Sequence, residues 1–364
     1  MNGVSWRTVR EFLPDLKTEL AARERVSQLG IPFGSLGRLH EFAVSLAAIQ
    51  GTLDVSLDRC TTIAFCADHG VASKGVSSLP QFVTYTNMKY MAEGLATISI
   101  YAKLLGAKFC VVDIGVRGPH YNSTMTCEAK DGIDFYDRRV RNGTGDISVS
   151  AAMTEDEVDQ ALQVGFDIAT MYANRTDVFV FGEMGIGNTT ACSAIIAGLF
   201  DEDPDRVTGL GSGISEETRK LKAAIVDQAV KRVKKVNSRP DPLTCLRELG
   251  GLEIAGMVGG MIAAAHYRKP IILDGFISAT AFAVASQLVR GISSAVFPGT
   301  YSSEVGYAVL SRNFKLEPIL NLGMRLGEGT GAILAWPILR AAAEQLTKGV
   351  TRSDLVVEFS SGRQ

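Results

Sequence analysis

Histidine is scarce in this 364-residue chain, with four copies, and the six cysteines are scattered (Cys60, Cys66, Cys110, Cys127, Cys192, Cys245) with no C-x-x-C pair. A disulfide framework and a zinc motif are therefore not spelled out, and cysteines lying in apolar runs read as buried thiols of a reducing compartment. Excess charge of one sign is missing too: 37 basic residues face 39 acidic ones, a net charge of −2. Bulk charge gives no reason to expect a nucleic-acid or anionic-lipid partner. The longest apolar run, residues 254–265, is interrupted by three glycines and is too short to span a bilayer. Around Trp6, Arg7, Arg10 and Glu11 there is no signal-peptide core, so the expectation is a cytoplasmic protein without a membrane partner. G-x-S-x-G and H-E-x-x-H are absent, which removes serine-hydrolase and zincin readings. What is abundant is glycine, 37 residues in clusters, as in loops shaped around a ligand.

Four short runs are apolar on both faces: residues 61–67, 108–113, 177–181 and 270–274. Such runs suit buried parallel strands, and helical periodicity between them (88–106, 154–173, 191–200, 216–236, 252–266, 277–289) predicts an α/β fold, a doubly wound and mostly parallel sheet. Residues 9–29 read as an amphipathic helix, and 35–50 as another with Ser35 as its cap. Residues 116–150 read as an irregular excursion with some strand. Asp68-His69-Gly70, Asp113-Ile114-Gly115, Gly182-Glu183-Met184-Gly185 and Asp274-Gly275 each close a predicted strand. Ligand crevices in such sheets lie beyond the carboxyl ends, so these four ends are expected to describe one site. His69 is read as a structural histidine of the crevice wall.

Three glycine-rich stretches carry the chemistry. In Arg325-Leu326-Gly327-Glu328-Gly329-Thr330-Gly331 one carboxylate stands between glycines ahead of a helix. Held at such a mouth, Glu328 is partly desolvated and suits a general base; the competing reading is a solvated Glu at a loop–helix junction. Gly182-Glu183-Met184-Gly185-Ile186-Gly187-Asn188-Thr189-Thr190 has the G-x-x-x-x-G spacing of a phosphate loop, with Asn188 where a triphosphate site needs Lys. Backbone amides can still hold a monophosphate there, and a plain strand-to-helix turn is the alternative. Gly209-Leu210-Gly211-Ser212-Gly213 precedes a helix bearing Lys220 and Lys222 and is weak taken alone.

Together with Pro32-Phe33-Gly34-Ser35-Leu36-Gly37-Arg38-Leu39, Ala67-Asp68-His69-Gly70-Val71, Gly251-Leu252-Glu253-Ile254-Ala255 and Leu273-Asp274-Gly275-Phe276, these motifs resemble nicotinate-nucleotide:dimethylbenzimidazole phosphoribosyltransferases over roughly residues 20–345. The resemblance implies transfer of phosphoribose from nicotinate mononucleotide to an aromatic lower-ligand acceptor of cobamides, with inversion to the α-riboside and release of nicotinate. It implies Glu328 as general base and Glu183 as a second acid. It places Met184, Gly185, Ile186, Gly187 and Asn188 at the nucleotide and Lys222 near its phosphate. Gly34, Ser35, Ser77, Gly211, Ser212, Gly213 and Leu326 complete the expected substrate-binding set. A large Rossmann-like domain (50–310), a small helical domain from both chain ends (1–49 and 311–364), a dimer, and neither metal nor cofactor are implied as well. A diphosphate-using transferase would need an acidic pair after a strand for magnesium, and Asp113-Ile114 does not supply one; a dehydrogenase would need G-x-G-x-x-G after its first strand.

The segment after His69 departs from the family pattern G-V-S-A-Y-P-Q-E-V-T-x-Q-M. Leu79 replaces Tyr, Phe82 replaces Glu, and Thr86 stands for a base-contacting Gln. Further on, the usual S-A-E-P-G-H reads Ser302-Ser303-Glu304-Val305-Gly306-Tyr307. Lost polar contacts to a buried group are worth ~1–3 kcal/mol, enough to change the winning acceptor. The expectation is a phenolic acceptor such as phenol or p-cresol; drift around an ordinary benzimidazole pocket is the alternative. Relatives that attach phenols work as pairs of unlike subunits, so a weakly active partner subunit of a heterodimer with a paralogous chain is the rival to an active enzyme.

Overall fold

The computed structural model describes residues 4–32, 34–121, 132–211 and 213–360. Cys127, Phe33 and Ser212 lie outside them. Six strands, β1 (Cys60–Ala67), β2 (Lys108–Gly115), β3 (Ile133–Asp137), β4 (Val178–Met184), β5 (Ile271–Leu273) and β6 (Val296–Pro298), form one sheet in the order β3-β2-β1-β4-β5-β6. Every pairing is parallel. All eight residues of β1 are buried, as its unbroken apolar pattern requires of a strand covered on both faces. Chain order reverses between β1 and β4, so the crevice opens above the ends of those two strands.

The helices are α1 (Leu16–Ser27), α2 (Arg38–Gln50), α3 (Val83–Ala92), α4 (Thr97–Leu105), α5 (Glu155–Tyr172), α6 (Asn188–Leu199), α7 (Pro204–Val207), α8 (Glu216–Val236), α9 (Pro242–Leu249), α10 (Leu252–His266), α11 (Phe276–Leu288), α12 (Tyr307–Phe314), α13 (Thr330–Lys348) and α14 (Arg352–Ser360). The expected helix over 9–29 begins only at Leu16, because Pro14 intervenes and Asp15 caps the helix by accepting from the Thr18 amide at 2.7 Å. Ser35 does not cap α2: Gly37 occupies that position with no side-chain bond, and Arg38 reaches instead to the Pro318 carbonyl at 2.9 Å. The expected 88–106 helix is two helices, divided where Gly94 takes φ +78°. β6, at three residues, is too short to show a strand pattern in the sequence.

Not all glycine serves loops. A Cβ on Gly165 of α5 would stand 1.8 Å from the Gly256 carbonyl oxygen of α10, and one on Gly259 would stand 1.9 Å from the Leu162 carbonyl oxygen. These glycines let two helices touch backbone to backbone on one face of the sheet. Segments from the two chain ends also meet: Gly30 donates to the Val350 carbonyl at 2.8 Å, and Arg352 donates to that of Gln28 at 2.9 Å. The five described cysteines are buried and unpaired. No described helix is long and apolar enough to cross a membrane.

Candidate active site

Glu328 sits in the loop that enters α13, and its backbone is left-handed, φ +65°, between Gly327 at +88° and Gly329 at +89°. For a glutamate this costs on the order of 1–2 kcal/mol, so the surroundings must enforce it. They do so from two strands. At the end of β4, a Cβ on Gly182 would stand 2.2 Å from the Glu328 carbonyl oxygen, so only glycine lets the loop settle there. Beyond β5, Asp274 accepts from the amides of Gly331 (2.8 Å), Ala332 (3.0 Å) and Gly329 (3.1 Å), capping α13 and pinning the loop. Burial pushes the Asp274 carboxyl up to about 6, against the pull of those amides.

The Glu328 side chain is buried, and burial raises its pKa. Its Oε1 accepts from Asn87 Nδ2 of α3 at 2.6 Å, while its Oε2 is buried with no hydrogen-bond partner among the described residues. Beside it, Glu183 is buried at the end of β4, takes the Asn188 amide on one oxygen and lies 3.5 Å from the Glu328 amide with the other. Burial first, then the carboxylates of Glu253, Asp274 and Glu328, push Glu183 up to about 8. At neutral pH it is mostly protonated, which removes a like charge from beside Glu328.

Both acids open on one cavity of about 520 Å³. Its floor is the glycine loop, Glu183 to Thr189, with α6 starting at Asn188. Behind Thr189 lies Lys222, a fully buried lysine whose Nζ donates to Thr189 Oγ1 at 2.7 Å and to the Gly209 carbonyl at 3.4 Å. Burial lowers Lys222 to about 8, with Glu304 acting in opposition. Helix N-terminal amides and an ammonium suit a phosphate. Apolar lining comes from Val76, Leu79, Val83, Met324 and Leu326.

Of the expected site residues, Ser77, Leu79, Glu183, Met184, Gly185, Ile186, Gly187, Asn188, Gly211, Leu326 and Glu328 line this cavity. Lys222 stands just behind it, whereas Lys220 is exposed. Gly34 and Ser35 lie on the exposed turn before α2, Gly213 is exposed, and Phe82 projects outward; none of them lines the cavity. Thr86 spends its hydroxyl on the Phe82 carbonyl (3.2 Å), and α3 turns Asn87 into the cavity instead. Sequence reasoning missed Asn87 because the register on the helix face, not the order in the chain, decides which residue faces inward.

The four strand ends do not all converge on ligand space. Glu183 and Asp274 line the cavity. Asp113 is instead held in a buried ion pair with Arg139 at 2.6 Å and accepts from the amides of Gly115 and Val116. Asp68 accepts from the Arg117 amide at 2.7 Å. His69 Nε2 meets Glu253 Oε1 at 2.6 Å with both side chains fully buried, and a Cβ on Gly185 or Gly187 would stand 3.3 Å from His69. The pair thus props the glycine loop from below, in keeping with a structural histidine.

A phosphoribosyltransferase family model matches residues 13–356. The nicotinate-nucleotide–dimethylbenzimidazole phosphoribosyltransferase of Syntrophotalea carbinolica is 37% identical over 357 residues, covering 96% of this chain and 97% of that protein. The protein of the same name from Acetivibrio thermocellus is 38% identical over 340 residues, 92% of this chain and 93% of the relative. The crystal structure of CobT from Thermus thermophilus superposes with a TM-score of 0.86 at 34% identity, over 93% of this chain and 98% of that one.

Proposed function

The chain belongs to the nicotinate-nucleotide–dimethylbenzimidazole phosphoribosyltransferase family, and from that premise we propose that it transfers phosphoribose from nicotinate mononucleotide to an aromatic lower-ligand acceptor. The observation that carries the reading is a single cavity in which a buried carboxylate with one unpartnered oxygen faces a glycine loop backed by a buried lysine. The 5′-phosphate sits on the amides at the start of α6, within reach of Lys222. The acceptor packs against Val76, Leu79, Val83 and Leu326. Its nucleophilic atom attacks C1′ of the ribose from the face opposite nicotinate. The C1′–N bond breaks with its electron pair passing to the pyridine nitrogen, so nicotinate leaves neutral at that atom. Glu328 takes the N–H or O–H proton of the acceptor. The transition state is oxocarbenium-like, and the same carboxylate opposes its positive charge. Glu183, protonated, serves as a second acid in the site.

The acceptor wall favours a phenol. An imidazole-type acceptor presents two ring nitrogens, one to attack and one to lose its proton, whereas a phenol needs one deprotonation and an apolar berth. Leu79 removes a polar group from this wall, whereas Phe82 lies outside the cavity and does not bear on the acceptor. The test is nicotinate release by the chain alone, with nicotinate mononucleotide and dimethylbenzimidazole, phenol and p-cresol in competition. Riboside formed on the phenols is the expected result, and exclusive use of dimethylbenzimidazole overturns the phenolic reading. Release only after a paralogous chain is added would favour the partner-subunit role.

A further inference from the structure

Glu328 has two oxygens in unlike circumstances. Oε1 is held by Asn87 Nδ2 at 2.6 Å, and the same nitrogen lies 3.3 Å from Met184 Sδ, so the amide is fixed from two sides. Oε2 is buried and has no donor among the described residues. A buried carboxylate oxygen without a donor is a deficit that an incoming N–H or O–H removes. The backbone at Glu328 is locked between Gly182 and Asp274, so the remaining freedom is rotation of the side chain itself. Asn87 comes from α3, which begins at Val83 and follows the cavity-lining segment through Val76 and Leu79, and so ties the base to that apolar lining.

We propose that Asn87 is a positioning residue for the transfer: by donating to Oε1 it turns Glu328 so that Oε2 is the oxygen presented to the acceptor proton. This rests on Glu328 being the base. The hydrogen bond also favours the ionised carboxylate against the burial that disfavours it. Other groups around Glu328 are Asp274 beyond β5, Glu183 on β4 with Glu253 of α10 behind it, and the Cys66 thiol at the end of β1. Asp274 opposes ionisation, whereas the Asn87 amide, with the Ile98 backbone N–H of α4 as a lesser second donor, supports it.

The experiment is the pH dependence of kcat for Asn87→Leu and Asn87→Ala beside the wild type and Glu328→Gln, with nicotinate mononucleotide as donor and the best of the tested acceptors. Removing one hydrogen bond to the ionised base is expected to move the acid limb of kcat up by about one pH unit, so that turnover falls up to about tenfold on that limb and little on the plateau above it. The KM for nicotinate mononucleotide should change less than about twofold, since the phosphate contacts lie elsewhere. A merely structural role would lower melting temperature and kcat together at every pH without moving the limb. An unmoved limb in folded Asn87 variants, alongside an inactive Glu328→Gln, overturns this inference and spares the general-base reading. Full turnover by Glu328→Gln overturns both.

Discussion

Gly182→Ala tests how tightly the fold dictates the position of the base. The alanine Cβ would stand 2.2 Å from the Glu328 carbonyl oxygen, 2.4 Å from its carbonyl carbon and 2.7 Å from the Gly329 nitrogen. Ordinary contact begins near 3.4 Å, so β4 and the Glu328 loop must part by about 1.2 Å, the difference between 3.4 and 2.2 Å. Backbone meets backbone here, and no rotamer change relieves it. Such overpacking costs ~1–3 kcal/mol, which in a chain of this size lowers Tm by only a few degrees. The catalytic penalty is larger, because a displacement of ~1 Å at a reacting group costs roughly 10²-fold in rate. Calorimetry and nicotinate release should therefore show a folded protein with kcat down about a hundredfold. Gly198→Ala, in α6, is the comparison: its Cβ meets a flexible Leu249 methyl at 3.1 Å, and the variant should keep turnover within about twofold. Wild-type kcat and Tm in Gly182→Ala would refute the claim that this glycine fixes the base.

Lys222→Met keeps the length of a buried side chain while deleting its charge, and is expected to raise the KM for nicotinate mononucleotide roughly 10–100-fold, the worth of a charge-assisted contact; an unchanged KM would dissociate this lysine from the phosphate. Because Lys222 titrates at about 8 when the site is empty, nucleotide binding should weaken as pH rises through that value, with proton uptake visible in calorimetry across buffers above it. Glu183, raised from 4.5 to about 8, binds more protons in the native than in the unfolded chain between those values. Its contribution to stability is thus full below about 4.5 and lost as pH rises through about 8, with a slope of up to ~1.4 kcal/mol per pH unit. Glu183→Gln should flatten that decline in denaturant titrations, and an identical slope in the variant would contradict the assignment.

The central sheet was legible because β1, β2 and β4 are apolar on both faces, a pattern that surface strands do not show. β6, at three residues, carries too little pattern to read, and the interruption at Gly94 was hidden in a run whose periodicity continues on either side. At the site, Glu328 and the Gly182–Thr190 loop announced themselves through glycine flanks. Asn87 did not, since nothing in its neighbours marks which face of α3 points inward. Nor could the sequence show that Asp113 and Asp68 brace loops rather than meet a ligand: that depended on Arg139 and on the Arg117 amide arriving from outside the strand. Lys222 was marked among the lysines of α8 by the family resemblance alone, since its own neighbours do not distinguish it and it is packing that buries it.

The acid at position 328 is the group on which turnover depends. Nicotinate release from nicotinate mononucleotide, measured with saturating acceptor for wild type and Glu328→Gln, is the direct measurement. General-base catalysis predicts a loss of about 10²–10⁴-fold in kcat with nucleotide affinity retained; equal turnover by the two proteins would contradict it.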